Sequence, residues 1–411
     1  MTSSGFSFGS AKVDITPRTG LPMAGYSGRT APAEGAHSPL YARAFVCQGN
    51  GNRVALASVD VIGIGRDDTN AIRRKVEDAT GIPPERILIA TTHSHSGPVT
   101  TYFRTVQPDP AYMQALGDGI TEAAGRAAAN VRPARMGFAQ GEAARFHMNR
   151  RDKAQPTDPT LSVARFVDER NRTLGAWVNY GCHPTNVGNL FYSSEYCGVL
   201  CNVVEGELEG TAMFLNGCHG DVNPHRPNKN FDDVETMGKG LADVALGLLR
   251  DMNYTEPNSV GGGSAMVQVP LDAPPTLAAL KAMADAPKGP AYEKQWARDW
   301  IAVHEAGKPI PATTEIEFQW FRIGELTLVC FPGQVFSSWG LELRRRWAGG
   351  PLMIVNQAND HAGYFPDKLG WEKGGYEVRS AFKFNSDRPA PTTWEAGKRL
   401  VETALSVQSL V

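Results

Sequence analysis

Two imidazoles stand two residues apart in Thr92-His93-Ser94-His95-Ser96-Gly97-Pro98, directly after the apolar run Ile87-Leu88-Ile89-Ala90. If strand geometry persists to His95, both rings point to the same face. A third imidazole, His183, has a similar setting, since Trp177-Val178-Asn179-Tyr180 runs into Gly181-Cys182-His183-Pro184. Histidines in loops after buried strands suit a metal site gathered from distant parts of the chain. The strand fixes the root of the loop, and the loop itself stays open. Neutral imidazole is the commonest protein ligand for zinc, and a catalytic zinc takes three protein ligands plus water. Zn2+ is therefore the expected cofactor.

Further polar clusters follow the short run Met213-Phe214-Leu215, the segment Phe331-Pro332-Gly333-Gln334, and the run Met353-Ile354-Val355, after which 356–366 is again polar. In the first of these, His219 and His225 flank Gly220-Asp221-Val222-Asn223-Pro224. Asp221 and Asn223 are expected to brace that loop by turn hydrogen bonds. His219 is weighed only as an extra ligand, and His361 as a residue that could face the pocket. Cys182-His183 and Cys218-His219 are not read as nucleophile pairs, because neighbours in extended chain point to opposite sides.

The elements that must position these loops alternate. Strands are expected at 54–62, 87–91 and 174–180, and helices at 67–80, 111–130 and 234–250. After a Pro- and Ala-rich middle come helices near 276–285 and 291–306, then a hairpin over 315–330 and a helix at 336–347. Strands joined both by helices and by a hairpin imply an α/β fold with a mixed β-sheet core flanked by helices. We read residues 1–411 as one large domain, with 262–312 an insertion or lid. The loops converge if they share one rim of the sheet.

The 411 residues are 42% hydrophobic and 20% charged with a net charge of −2, which describes an ordinary globular protein and disfavours nucleic acid as a partner. No run approaches the ~18 apolar residues of a membrane span, so no membrane insertion is expected. The opening residues lack the basic and apolar regions of a secretory signal. Six cysteines are too sparse for a disulfide framework, which points to a cytoplasmic location. A small-molecule substrate is the expected partner; the sequence leaves the oligomeric state open.

In order along the chain, Asp14-Ile15-Thr16-Pro17, Leu21-Pro22-Met23-Ala24-Gly25-Tyr26, the 92–98 motif, Asn149-Arg150, His183-Pro184-Thr185, Gly220-Asp221-Val222-Asn223-Pro224, Phe331-Pro332-Gly333, Gly363-Tyr364-Phe365-Pro366 and Gly374-Gly375-Tyr376-Glu377 resemble the catalytic domain of the neutral (non-lysosomal) ceramidase family. The resemblance implies that domain's fold and a zinc amidase. It implies that His93 and His183 bind the metal with Tyr364, and that His95, Arg150 and Tyr376 line the reacting centre. The family's remaining ligand is a Glu after the Pro-Gly turn, where this chain has Gln334. A neutral amide oxygen is a weaker zinc ligand than a carboxylate. Asp360, Asp221 and Glu195 are the carboxylates on neighbouring loops that could substitute.

In this reading zinc polarises a carbonyl and acidifies water. His95 carries the proton to the leaving group, and Tyr376 or Arg150 stabilises the oxyanion. The expected activity is hydrolysis of an amide in a small N-acylated substrate other than ceramide. The alternatives are an ester, lactone or glycosidic linkage at the same site, or a relative that binds a ligand without turning it over.

Overall fold

The computed structural model describes residues 5–410. Its first sheet contains β1 (Ser7–Asp14), β2 (Tyr41–Gly49), β3 (Asn52–Val59) and β4 (Ile87–Thr91), in the order β4-β3-β2-β1 with Arg132–Pro133 beyond β1. All five residues of β4 are buried, which is why it reads as an unbroken apolar run rather than an alternation. Helices α1 (Arg66–Thr80) and α2 (Pro110–Ala129) cover the outer face of this sheet. The start of α2 is fixed by Asp109, whose carboxylate accepts the Tyr112 N–H at 2.8 Å, and by Pro110 in its first turn.

The second sheet contains β5 (Arg135–Glu142), β6 (Thr160–Val167), β7 (Thr173–Tyr180) and β8 (Thr211–Asn216), ordered β8-β7-β6-β5 and packed on α3 (Glu195–Leu208) and α4 (Phe231–Leu249). In the third, β9 (Val260–Pro270), β10 (Thr313–Ile323), β11 (Leu326–Cys330) and β12 (Leu352–Val355) lie in chain order. Helices α5 (Leu277–Ala284) and α6 (Ala291–Glu305) pack together and on Phe382. Helices α7 (Ser337–Arg346) and α8 (Trp394–Ser406) cover the third sheet.

The inner faces of all three sheets meet in one apolar cluster. Phe8, Phe45 and Leu88 come from the first sheet, Phe166, Trp177 and Leu215 from the second, and Phe321, Leu328 and Val355 from the third. Phe8 stacks on Phe166 at 4.0 Å, and Phe166 meets Trp177 at 4.7 Å. Burial of such rings is the main force holding the sheets together.

Each sheet contains one parallel pair, β3–β4, β7–β8 and β11–β12, among otherwise antiparallel neighbours. The sheets are therefore mixed, as expected. A parallel pair ends both its strands at the same edge, and the shared core brings the three edges together. The loops beginning at Thr92, Gly181, Gly217, Phe331 and Asn356 all leave from there.

Within the 262–312 stretch, residues to 270 belong to β9, which pairs with β10 along its whole length. Glycines 261–263 lie in this strand, and the third sheet needs the one at 262. A Cβ at Gly262 would lie 2.7 Å from the Phe321 ring. Only the part carrying α5 and α6 stands outside the sheet. Among the described residues no helix is long and apolar enough to cross a membrane.

Under the converging edges sits Asn216, fully buried at the end of β8. Its amide donates to the Thr92 carbonyl at 3.0 Å and the Cys182 carbonyl at 3.2 Å, and accepts the Cys182 N–H at 3.3 Å. Its own carbonyl accepts the Asn356 N–H at 2.7 Å. One residue thus ties an edge of every sheet to the others. Asn216→Ala strands buried carbonyls and an N–H, so it is expected to destabilise by about 2–4 kcal/mol. Asn216→Asp, which keeps the acceptor and loses the donors, should be comparably damaging in a urea titration. Wild-type midpoints for both variants would remove Asn216 from this role.

Candidate metal centre

His93 follows β4 on a left-handed backbone, with φ +67°, a conformation that a non-glycine residue holds only when its surroundings enforce it. Its Nδ1 lies 2.6 Å from the Ile62 carbonyl. His183, beyond β7, places Nδ1 2.9 Å from the Val222 carbonyl, and His219, beyond β8, places Nδ1 2.8 Å from the Gly217 carbonyl. A carbonyl only accepts, so each Nδ1 carries the proton. Burial pushes all three rings below the usual imidazole range, His219 to about 3, so the rings are neutral. Each Nε2 is therefore a bare lone pair.

These three lone pairs share one space. One ligand atom from each of His93, His183 and His219 lies within 4.8 Å of the other two. The Nε2 of His219 is buried without a hydrogen-bond partner. Gln334 adds its Oε1 at 2.9 Å from the His183 Nε2. Two acceptors at that separation repel unless a cation lies between them. Nδ1 protons committed to carbonyls are also the outer-shell arrangement found around metal-ligating histidines. The residues fit a divalent metal.

The other residues singled out in sequence are placed as follows. Gln334 and Tyr364 are register partners in a short parallel pairing, so they stand side by side. The Tyr364 hydroxyl accepts from Arg150 Nη2 at 3.1 Å, and Arg150 Nη1 lies 3.5 Å from His183 Nε2. Arg150 also pairs through Nε with Glu377 at 2.9 Å. Arg151, its neighbour, turns away to clamp Glu377 and the Gly370 and Gly374 carbonyls. His95 is half-buried, with Nε2 3.3 Å from that of His93. Burial, then the charges of Arg150 and Arg29, push its ring down to about 3. Tyr376 stands apart, 53% exposed on the rim, with its ring 6.2 Å from that of Tyr364.

None of the carboxylates offered as substitutes joins the cluster. Asp360 reaches Arg66 at 3.4 Å. Asp221 accepts from Ser337 and Asn149 and braces its loop. Glu195 accepts from Ser96 Oγ at 3.1 Å and the Asn186 N–H at 3.2 Å, which links the His93 and His183 loops. His361 lies 5.7 Å from the His93 ring, but its nitrogens are engaged by Gln357 and Asn385. Cys182 and Cys218 are buried, with thiols raised by burial, which makes them inert. Glu377 and Asn216 were not singled out by sequence reasoning. The Gly-Gly-Tyr-Glu motif contains Glu377, but nothing in it signals that this carboxylate bridges two arginines.

Beside His95 opens a cavity of about 670 Å³, lined by Met23, Tyr26, Phe103, Val106, Tyr292 and Phe384 among others. Tyr26 meets the His95 ring edge-on at 5.4 Å, so this pocket, which Arg29, Thr30 and Thr105 also line, lies next to His95.

Metal-free protein should lose stability in acid. The unfolded chain protonates His95 and His219 near pH 6.5, but the folded chain does so only near pH 3. Between those values the unfolded state binds more protons, so stability falls as pH drops below about 6.5. The slope is up to about 1.4 kcal/mol per pH unit for each ring. Urea midpoints at pH 7.5, 6.5 and 5.5 measure this, and His219→Gln should flatten the profile. A wild-type profile that is already flat would contradict the neutral-imidazole reading.

The model of the neutral/alkaline non-lysosomal ceramidase N-terminal domain matches residues 6–224, more than half of the chain. A neutral ceramidase of Drosophila melanogaster is 24% identical over 318 residues, covering 62% of this chain and 45% of that protein. One of Mycobacterium tuberculosis is 24% identical over 415 residues, covering 79% and 64%. The chain thus spans less than two thirds of either relative. The crystal structure of neutral ceramidase from Pseudomonas aeruginosa superposes with a TM-score of 0.76 at 22% identity, covering 100% of this chain and 75% of that one. A ceramidase complexed with C2 gives the same score at 19% identity. With the motifs, the family model and the fold in agreement, the chain belongs to the neutral/alkaline non-lysosomal ceramidase family.

Proposed function

We propose that the protein is a zinc-dependent amidase that hydrolyses the N-acyl bond of a ceramide-type lipid amide. The observation that carries this reading is the set of three converging buried imidazoles, each with its Nδ1 proton committed to a carbonyl and with the His183 Nε2 2.9 Å from the Gln334 oxygen. Imidazole nitrogens suit zinc. Bound there, the ion would supply Lewis-acid polarisation of the scissile carbonyl and acidify water.

The chain's own residues do the rest. Arg150, fixed by Glu377 and Tyr364, directs a permanent cation toward charge that develops on the carbonyl oxygen. His95 is neutral, and its Nε2, 3.3 Å from that of His93, takes the proton released by the attacking water and passes it to the leaving amine. Tyr376 guards the rim.

The expectation of a substrate other than ceramide finds no support. The relatives named above are neutral ceramidases, and Met23, Phe103, Val106 and Phe384 in the cavity beside His95 offer apolar surface to a hydrocarbon chain. The six cysteines, all buried and unbridged, support a reducing, cytoplasmic setting.

The test is hydrolysis of a short-chain N-acylsphingosine, followed by release of the fatty acid. A chelator should abolish turnover and Zn2+ should restore it. His95→Ala should lower kcat by about 10²–10⁴-fold with metal content unchanged. A protein that binds zinc but cleaves only esters or lactones in a matched panel would replace the amidase reading.

A further inference from the structure

Where the family resemblance places a carboxylate ligand, this chain has an amide, and no Asp or Glu joins the imidazole cluster among the described residues. A neutral replacement alone would leave the ion with two imidazoles, an amide and a phenol, a weak set for zinc. The compensation is built into the loop after β8. We infer that His219 is the third protein ligand, so that the site holds its ion on the three nitrogens of His93, His183 and His219, with Gln334 demoted to a neutral, auxiliary oxygen. This inference rests on the metal reading above.

Three observations support it. The His219 ring is fully buried, and its Nε2 has no partner while Nδ1 is anchored 2.8 Å from the Gly217 carbonyl. An unpartnered buried acceptor is costly unless something fills the space before it. Its ring centroid lies 5.0 Å from that of His93 and 4.8 Å from that of His183, so it faces the same point as the other two. The loop is also seated against the segment bearing Gln334. Gly220 N–H donates to the Val335 carbonyl at 2.9 Å, and a Cβ at Gly220 would come within 2.5 Å of the Gln334 carbonyl oxygen. Glycine at 220 is what lets His219 and Gln334 approach one centre together.

The consequence is electrostatic. Three neutral imidazoles and an amide leave the full divalent charge uncompensated by protein, one unit more positive than a site with a carboxylate.

The experiment is metal stoichiometry by mass spectrometry and Co2+ titration followed by visible absorption, on wild type, His219→Ala, Gln334→Ala, His93→Ala and His219→Cys. Loss of a residue that merely supports a ligand costs about 10–100-fold in affinity. His219→Ala should lose more than that, whereas Gln334→Ala should stay within it. His219→Cys should regain binding and show the near-ultraviolet thiolate-to-Co2+ charge-transfer band, a signature that also covers the case in which the alanine variant fails to fold. Retention of metal by His219→Ala, or a His219→Cys protein that binds Co2+ without that band, would overturn the inference and leave the metal reading standing. Retention by His93→Ala would remove the metal reading itself.

Discussion

Three backbone carbonyls, those of Ile62, Val222 and Gly217, decide what this site can be. By taking the Nδ1 protons of His93, His183 and His219, they leave three lone pairs pointing inward where water is excluded. Burial keeps the rings neutral, and Gln334 adds a fourth acceptor. Converging acceptors of this kind make a cation site, although Arg150 Nη1 stands 3.5 Å from the His183 Nε2. Arg150, close by, then serves the substrate rather than the ion, since its charge is held back by Glu377 and the Tyr364 hydroxyl.

Those carbonyls are only as well placed as the scaffold behind them. Each sheet is largely antiparallel, yet each keeps one parallel pair, and the paired ends supply the loops. The aromatic cluster joins the sheets by bulk burial, which is strong but not directional. Direction comes from buried polar pins. Besides Asn216, the Asn179 amide bonds the Leu215 and Ile354 carbonyls, each at 2.9 Å, and Ser58 bonds the Phe214 carbonyl at 2.6 Å. The apolar core sets which sheets meet, and the pins set how they are aligned.

Much of this was legible. Helices expected at 67–80, 111–130 and 291–306 lie at Arg66–Thr80, Pro110–Ala129 and Ala291–Glu305, because their apolar spacing and flanking Gly and Pro residues act locally. The His93 and His183 loops were legible because buried strands leave unbroken apolar runs ahead of them. Other features depend on tertiary contacts. The glycine-rich start of β9 is held as strand by its pairing with β10. His219 was legible only as an extra ligand beside a turn, since the ring is aimed by a carbonyl two residues back, and a sequence does not display that. Gln334 was legible as a departure from the family pattern, but its geometric partner was not. Tyr376 matched the motif, yet the backbone leaves it on the rim.

The imidazoles come from strands that lie far apart in the chain and in two different sheets, and the segment bearing Gln334 comes from the third. A nascent chain therefore exposes His93 long before Gln334 has been synthesised, and no ion can be gripped by the complete set until all three sheets have docked. Metal capture would be the last event of maturation rather than its nucleus. The loaded ion would then act as a clasp across the whole molecule, resisting global unfolding more than any local opening.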